Sequence, residues 1–472
     1  KPEVSSGHLS ALLGETMRPN RLSLSRRVFL KSSALGFTTA ALGGPLVMRG
    51  SAAATDANSK VNLAVVGCGG QGRSDMSELL SSGVNLVALC DPDASQIEKA
   101  RETAAKNGGN QAKGFEDYRE LLDNAPNYDA VLIATPDHWH APLCQAFMKA
   151  GKHVYCEKPL THSVAEAREI RELARRSKVV TQMGNQGSAS SSLRRCIEVI
   201  QAGALGQIRE IYEWGIGCTA REGSAEGEDP IPSGFNWDLW VGPSAMRPFK
   251  KDVYHPVAWR GWFDFGNGGL ADICCHSVNL PMRALNLGYP ERLVLNMDRS
   301  GQQPLDKPAV EFHFPARGKL APVKLYWQGN GMPPAAVLAP VVEVHKEKDG
   351  GVLIIGATGC IYSSHWNTGA LIRLEGEPRL TDVLRHPATK DIPQSLPRSK
   401  GHGQEWIDAC RGEGRTFSDF DIGGKLTEIG LAGVLAIRTG RNLDWDGETM
   451  EARNAPEAAR FVRTEHRKKW LV

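Results

Sequence analysis

Residues able to move protons or cradle a dinucleotide fall at four places in the sequence. Glu157-Lys158-Pro159 closes an apolar run, His153 to Cys156. Asp272 and His276 stand four apart within Leu270 to Leu287, a stretch of helical periodicity, so both lie on one helix face. An imidazole can accept a hydroxyl proton near neutral pH while hydride leaves the same carbon, and a carboxylate can orient it; alcohol oxidation needs such a pair. Spacing alone also fits a core histidine satisfied by Asp272. The third place is Gly67-Cys68-Gly69-Gly70-Gln71-Gly72, a G-x-G-x-x-G run whose glycines suit close approach to a pyrophosphate, with Asp91 following 19 residues after Gly72. The fourth is Thr135-Pro136-Asp137-His138-Trp139-His140.

The elements that must position these residues alternate. Val61 to Val66 reads as a buried strand running into the glycines, and a helix follows from Arg73 to about Ser82. The helix N-terminus would face the phosphates. Asn85 to Cys90 is a second strand, ending at Asp91, whose carboxylate would take the adenosine ribose hydroxyls and repel a 2′-phosphate. This favours NAD over NADP. Strands at Ala130 to Thr135, His153 to Cys156 and Val179 to Met183, with helices between, predict a doubly wound parallel sheet with ligands at the strand carboxyl ends.

The run G-C-G-G-Q-G, the T-P-x-x-x-H of Thr135 to His140, and G-K-H-V-Y-C-E-K-P-L at Gly151 to Leu160 resemble the Gfo/Idh/MocA oxidoreductase family. The resemblance implies an α/β protein: an N-terminal Rossmann domain over residues 60–184, then an α+β domain over 185–400 with a large, mostly antiparallel sheet. It implies NAD or NADP acting on sugars, cyclitols or related polyols. Lys158 is then expected beside the nicotinamide and the substrate hydroxyl, polarising the reacting oxygen, with Glu157 and Pro159 setting the strand end. Thr135, Pro136 and His140 fall with the cofactor. Inositol-dehydrogenase-like members carry the same D-x-x-x-H, which makes His276 the general acid/base and Asp272 its orienter or a substrate ligand. The family also builds dimers or tetramers through the sheet of the second domain.

From about Asn185 strands follow one another serially: Ile208 to Gly215, Arg292 to Asn296, Val310 to Phe314, Val323 to Trp327, Val341 to His345, Val352 to Gly356 and Ile361 to Ser364. Gly217 to Gly269 lacks periodicity but is dense in aromatics, with four of the eleven tryptophans inside 26 residues. Tyr254, Trp259, Arg260 and Trp262 are the candidates for a sugar-binding wall, because ring faces stack on the C–H face of a pyranose. The same residues also suit simple packing of the loop. Helices are expected around His402 to Cys410 and Leu426 to Thr439, in a C-terminal segment (401–472) that packs back on the first domain.

The 472 residues exceed what one core usually organises. The net charge of +3 argues against a nucleic-acid partner, the more so because residues 1–54 alone hold seven basic and two acidic residues. Ser25-Arg26-Arg27-Val28-Phe29-Leu30-Lys31, the apolar stretch Ser33 to Met48 and Ala52-Ala53-Ala54 resemble a twin-arginine export signal, which implies a periplasmic or otherwise exported protein. The apolar stretch is too short for a lasting membrane span. The ten scattered cysteines contain no Cys-x-x-Cys pair, so structural thiols and no metal are expected. Little free nicotinamide cofactor exists outside the cytoplasm, so a tightly held NAD is expected. Two other functions stay open: an NAD-dependent glycoside-cleaving enzyme with no net redox change, and a non-catalytic sugar or nucleotide sensor. The G-N-x-Y-P-T-H motif associated with NAD-dependent N-acetylgalactosaminidases is missing from the sequence.

Overall fold

The structure, a computed structural model, describes residues 60–109, 111–215, 220–296, 308–329, 331–344 and 350–470. The export signal expected over residues 1–54 lies outside the described residues. Six short runs form the first sheet: β1 (Asn62–Val66), β2 (Asn85–Cys90), β3 (Lys113–Phe115), β4 (Ala130–Ile133), β5 (His153–Glu157) and β6 (Thr181–Gly184). Their order is β3-β2-β1-β4-β5-β6, and every pairing is parallel. The chain reverses direction of growth between β1 and β4, which opens a crevice at their carboxyl ends. β3 has no sequence signature, being three residues of which Phe115 alone is buried.

Side-chain caps start most of the crossover helices. Ser163 and Glu166 form a reciprocal capping box for Val164–Ser177, and Asp93 and Asp117 cap Ala94–Lys106 and Tyr118–Asn124. The helix Gly70–Ser81 differs: its N-cap is Gly69, with no side-chain cap and no acidic residue in the first turn. Its N-terminal amides therefore face the crevice with their partial positive charge uncompensated.

The second sheet contains β7 (Ile208–Trp214), β8 (Arg292–Asn296), β9 (Ala309–Phe314), β10 (Val323–Trp327), β11 (Gly351–Gly356), β12 (Gly359–Ser363), β13 (Ala370–Leu374), β14 (Thr381–Asp382), β15 (Leu443–Asp446) and β16 (Glu451–Ala452). Their order is β14-β13-β12-β11-β7-β10-β9-β8-β15-β16, antiparallel except for β7 with β10. Two expectations fail locally. Of the strand expected over Val341 to His345, the described residues 341–344 are not a strand: Ala339–Val341 is a 3-10 turn, and Pro340 has no amide hydrogen to give a ladder. The helix expected over Leu270 to Leu287 breaks into Gly268–Ser277 and Asn279–Ala284, because Pro281 cannot donate to the carbonyl four residues back.

The C-terminal segment is not only helical, since β15 joins the sheet edge at β8. Helix Phe420–Thr439, capped by Asp419, lies against both Val164–Ser177 and Gly268–Ser277. Buried Glu428 receives Arg168 at 2.9 Å and Arg171 at 2.7 Å. The aromatic segment before residue 267 makes its own core, in which Trp237 and Trp240 stack at 4.7 Å. Among the described residues the nine cysteines are unpaired, and no helix is long and apolar enough to cross a membrane.

Candidate active site

A cleft of about 610 Å³ runs along the carboxyl ends of β1, β2, β4 and β5. Gly67, which follows β1, sits at φ +88°, where an added Cβ would lie 2.6 Å from the Ala134 carbonyl. A Cβ on Gly72 would meet the Gly67 oxygen at 2.0 Å. These two glycines let strand and helix approach; Gly69 and Gly70 instead border open space on the cleft side. Gln71 also lines the cleft and donates to buried Asp75 at 2.8 Å.

At the far end of β2, Asp91 accepts the Cys68 and Asp93 amides at 2.8 and 2.9 Å. Burial pushes its carboxyl up to about 7 against the pull of these two amides. Each oxygen keeps a second lone pair for a ribose hydroxyl. Arg73, Gln96 and Lys99 border the same end. Thr135 lines the middle, its buried hydroxyl without a partner. An uncapped helix N-terminus, an acceptor for a diol and an unpaired hydroxyl in one crevice fit a dinucleotide such as NAD.

Lys158 stands at the other end. Its ammonium lies 2.6 Å from the Asp272 carboxylate and 3.1 Å from the Asp272 carbonyl. Burial pulls its pKa down, but Asp272 and then Glu157 outweigh burial and hold it above the ordinary lysine value. Lys158 is therefore a proton-bearing, hydrogen-bond-donating group. Glu157, pushed up by burial and then by Asp75, accepts from Gln186 at 3.0 Å. Arg260, 3.8 Å from Asp272, extends the cationic wall while its guanidinium lies 4.2 Å from the Trp259 ring.

Asp272 thus serves Lys158 and does not orient His276. The His276 ring is buried, both its nitrogens lack partners, and burial followed by the Lys158 charge holds it well below the ordinary histidine range. Among the described residues, the cleft wall ends at Lys158 and Arg260, and His276 lies outside it.

Three other expectations need correction. His140 braces two strand ends, its ring nitrogens 2.7 Å from the Pro159 carbonyl and 2.8 Å from that of Thr135, and it does not border the cleft. Tyr254 and Trp262 are spent on packing: the Tyr254 hydroxyl accepts the Ala225 amide at 2.8 Å and the Trp262 indole donates to the Val253 carbonyl at 3.0 Å. Trp259, Arg260 and Pro136 do line the cleft. Leu239, Trp240 and His255 line it too, and they fall in a segment with no periodicity by which to find them. They belong to a roof: the Ala94 amide bonds the Gly234 carbonyl, and the Asn236 amide bonds that of Pro92. Arg467 holds this roof from the C-terminus, donating to Asp238 at 2.8 Å and to the Gly242 carbonyl at 2.8 Å, while Trp470 packs on Trp139.

Two family models match the chain. Residues 61–185 fit the NAD-binding Rossmann fold of an oxidoreductase family, and residues 207–299 fit the C-terminal alpha/beta domain of the same family. Both matched stretches are thus similar to the Gfo/Idh/MocA oxidoreductase family, and together they span less than half of the 472 residues. The first domain is accordingly an NAD-binding Rossmann domain. An alpha-N-acetylgalactosaminidase of Shewanella oneidensis is 29% identical over 153 residues, 31% of this chain and 33% of that protein. A glycosyl hydrolase family 109 protein of Saccharopolyspora erythraea is 26% identical over 42% of this chain and 46% of its own length. The chain thus spans about a third to a half of the length of these curated relatives. The aldose-aldose oxidoreductase of Caulobacter crescentus shares the fold at TM-score 0.53 and 19% identity, covering 82% of this chain and 99% of that one. So does an inositol dehydrogenase homolog from Azotobacter vinelandii complexed with NADH and myo-inositol, at TM-score 0.54, 19% identity and 82% and 98% coverage.

Proposed function

We propose that this protein is an NAD-dependent oxidoreductase that moves a hydride between the nicotinamide and a carbinol or keto carbon of a sugar, cyclitol or related polyol. The observation that carries this reading is the single cleft leading from the glycine loop and Asp91 to the charged Lys158. NAD, when bound, supplies the hydride acceptor. The glycine loop, Asp91 and Thr135 would hold it. Lys158 donates a hydrogen bond to the reacting oxygen and steadies the negative charge that grows there. Because Lys158 already carries its proton, it is not the base. The family resemblance gives the hydroxyl proton to His276, which lies outside the cleft and takes that proton only once its cover moves aside.

The reading extends to a protein exported by the twin-arginine route, assembled as a dimer or tetramer, and holding NAD in preference to NADP between turnovers. Asp91 supports the choice of NAD by charge, and the roof over the cleft supports retention. Mass spectrometry of the denatured, purified protein tests retention, and a sugar screen read at nicotinamide absorbance tests the activity. Turnover of a sugar that K158A loses is the expected result; no redox turnover of any sugar or polyol sinks the reading.

The family 109 relatives favour a second reading on the same residues: transient oxidation that lets elimination cleave a glycosidic bond. Release of sugar from a glycoside without accumulating NADH would select it.

A further inference from the structure

His276 is covered by a residue that neither sequence periodicity nor the cleft lining singles out. Trp366, in the turn between β12 and β13, sets its ring 4.3 Å from the imidazole in an edge-to-face arrangement. The indole is 45% exposed while the histidine beneath it is 2% exposed. The turn is fixed from below: the buried Asn367 amide donates to the His276 carbonyl, and the Ser363 hydroxyl donates to Asn367 at 3.0 Å. The Trp366 backbone also presses on Gly187, where an added Cβ would lie 1.8 Å from the Trp366 oxygen. With the backbone held at both points, the side-chain torsions of Trp366 are the remaining freedom. A buried imidazole with no partner on either nitrogen is costly unless a ligand completes it.

We infer that Trp366 is a positioning residue for His276: its indole walls the imidazole off from water and keeps the two unpartnered nitrogens for a substrate hydroxyl. The inference rests on the oxidoreductase reading for its purpose. The charged and titratable groups around the ring are Lys158 from the end of β5, His402 from the helix His402–Cys410 and His365 from the same turn. Lys158 and burial both oppose a second positive charge here, so water entry is the change that would let the ring protonate. Substrate reaches the imidazole when the exposed indole rotates outward, and an apolar C–H face of a sugar ring is a suitable surface to take its place.

The test is carbethoxylation of the purified protein by diethyl pyrocarbonate, followed site by site by mass spectrometry, with partly exposed His313 as the internal reference. In the native chain His276 should be modified far more slowly than His313. W366A should speed His276 modification on the order of tenfold by removing the cover, and W366F, which keeps a ring, should restore protection. On a sugar found by the screen above, W366A should also raise the acid limb of the kcat profile toward the ordinary histidine range, with W366F restoring it. Equal His276 reactivity in W366A and the native chain, or an unmoved acid limb, overturns the inference. If no sugar turns over, the oxidoreductase reading fails, while the modification rates still decide whether Trp366 seals His276.

Discussion

Replacing Asp91 by asparagine should stabilise the nucleotide-free chain at alkaline pH while weakening its grip on NAD. The folded carboxyl titrates at about 7 against an ordinary value of 3.8, with burial as the cause. A carboxyl raised on folding binds its proton more tightly in the native state, so its contribution to stability is lost as pH climbs from the unfolded value through the folded one. Between pH 5 and 8 the wild type therefore loses roughly two units' worth of proton affinity at Asp91, about 3 kcal/mol at 1.36 kcal/mol per unit. The amide side chain of D91N has no charge to bury and escapes that loss. Its one carbonyl oxygen keeps only one of the two amide contacts now made to Cys68 and Asp93, at a pH-independent cost of about 1 kcal/mol. Urea unfolding of stripped protein at both pH values should show the variant gaining on the wild type by about 3 kcal/mol from pH 5 to pH 8. Titration calorimetry at pH 8 should show NAD binding weakened roughly 10- to 100-fold, as expected for losing charge-assisted bonds to a ribose diol. A stability difference that ignores pH, or an unchanged Kd for NAD, would falsify the placement of Asp91 as a buried, ribose-facing carboxylate.

K158A should lower kcat by roughly 100-fold or more, since it removes the donor aimed at the reacting oxygen, and D272N should lower it less because the Asp272 carbonyl still holds the ammonium; steady-state kinetics on any turned-over sugar separates the two. D238A frees Arg467 and Lys469 and should speed NAD release about tenfold by unlatching the roof, read as loss of bound nucleotide on dialysis. E428A leaves Arg168 and Arg171 facing a buried void and should cost on the order of 3 kcal/mol in denaturant unfolding. G72A, whose methyl would overlap the Gly67 oxygen, should yield protein that folds poorly or emerges without nucleotide, checked by circular dichroism and mass spectrometry.

Much of the first domain was legible because its signals are local. Apolar runs such as Ala130–Ile133 bury on both faces, and the glycines answer to contacts a few residues away. The second sheet was legible where strands alternate, as in Ala309–Phe314; β13 went unread despite its apolar run, and β14 to β16 are too short or too polar to carry a pattern. Within the site, Lys158 and Asp91 were readable from strand ends. The partner of Asp272 was not: spacing puts Asp272 and His276 on one face, but Lys158 arrives from 114 residues upstream and outcompetes a neutral imidazole for the carboxylate. Nor could sequence sort Trp259 from Trp262 in a segment without periodicity, or find Trp366, whose importance lies wholly in what it covers.

The helix Phe420–Thr439 also imposes an order in time. It completes the surface of Val164–Ser177, yet about 240 residues separate the two along the chain. At ordinary rates of synthesis, roughly 5–20 residues per second, the first domain waits ~12–50 s on the ribosome with that face bare. Arg168 and Arg171 are already charged during the wait and lack Glu428, so the bare face is studded with cations and resists premature apolar pairing until the last helix arrives.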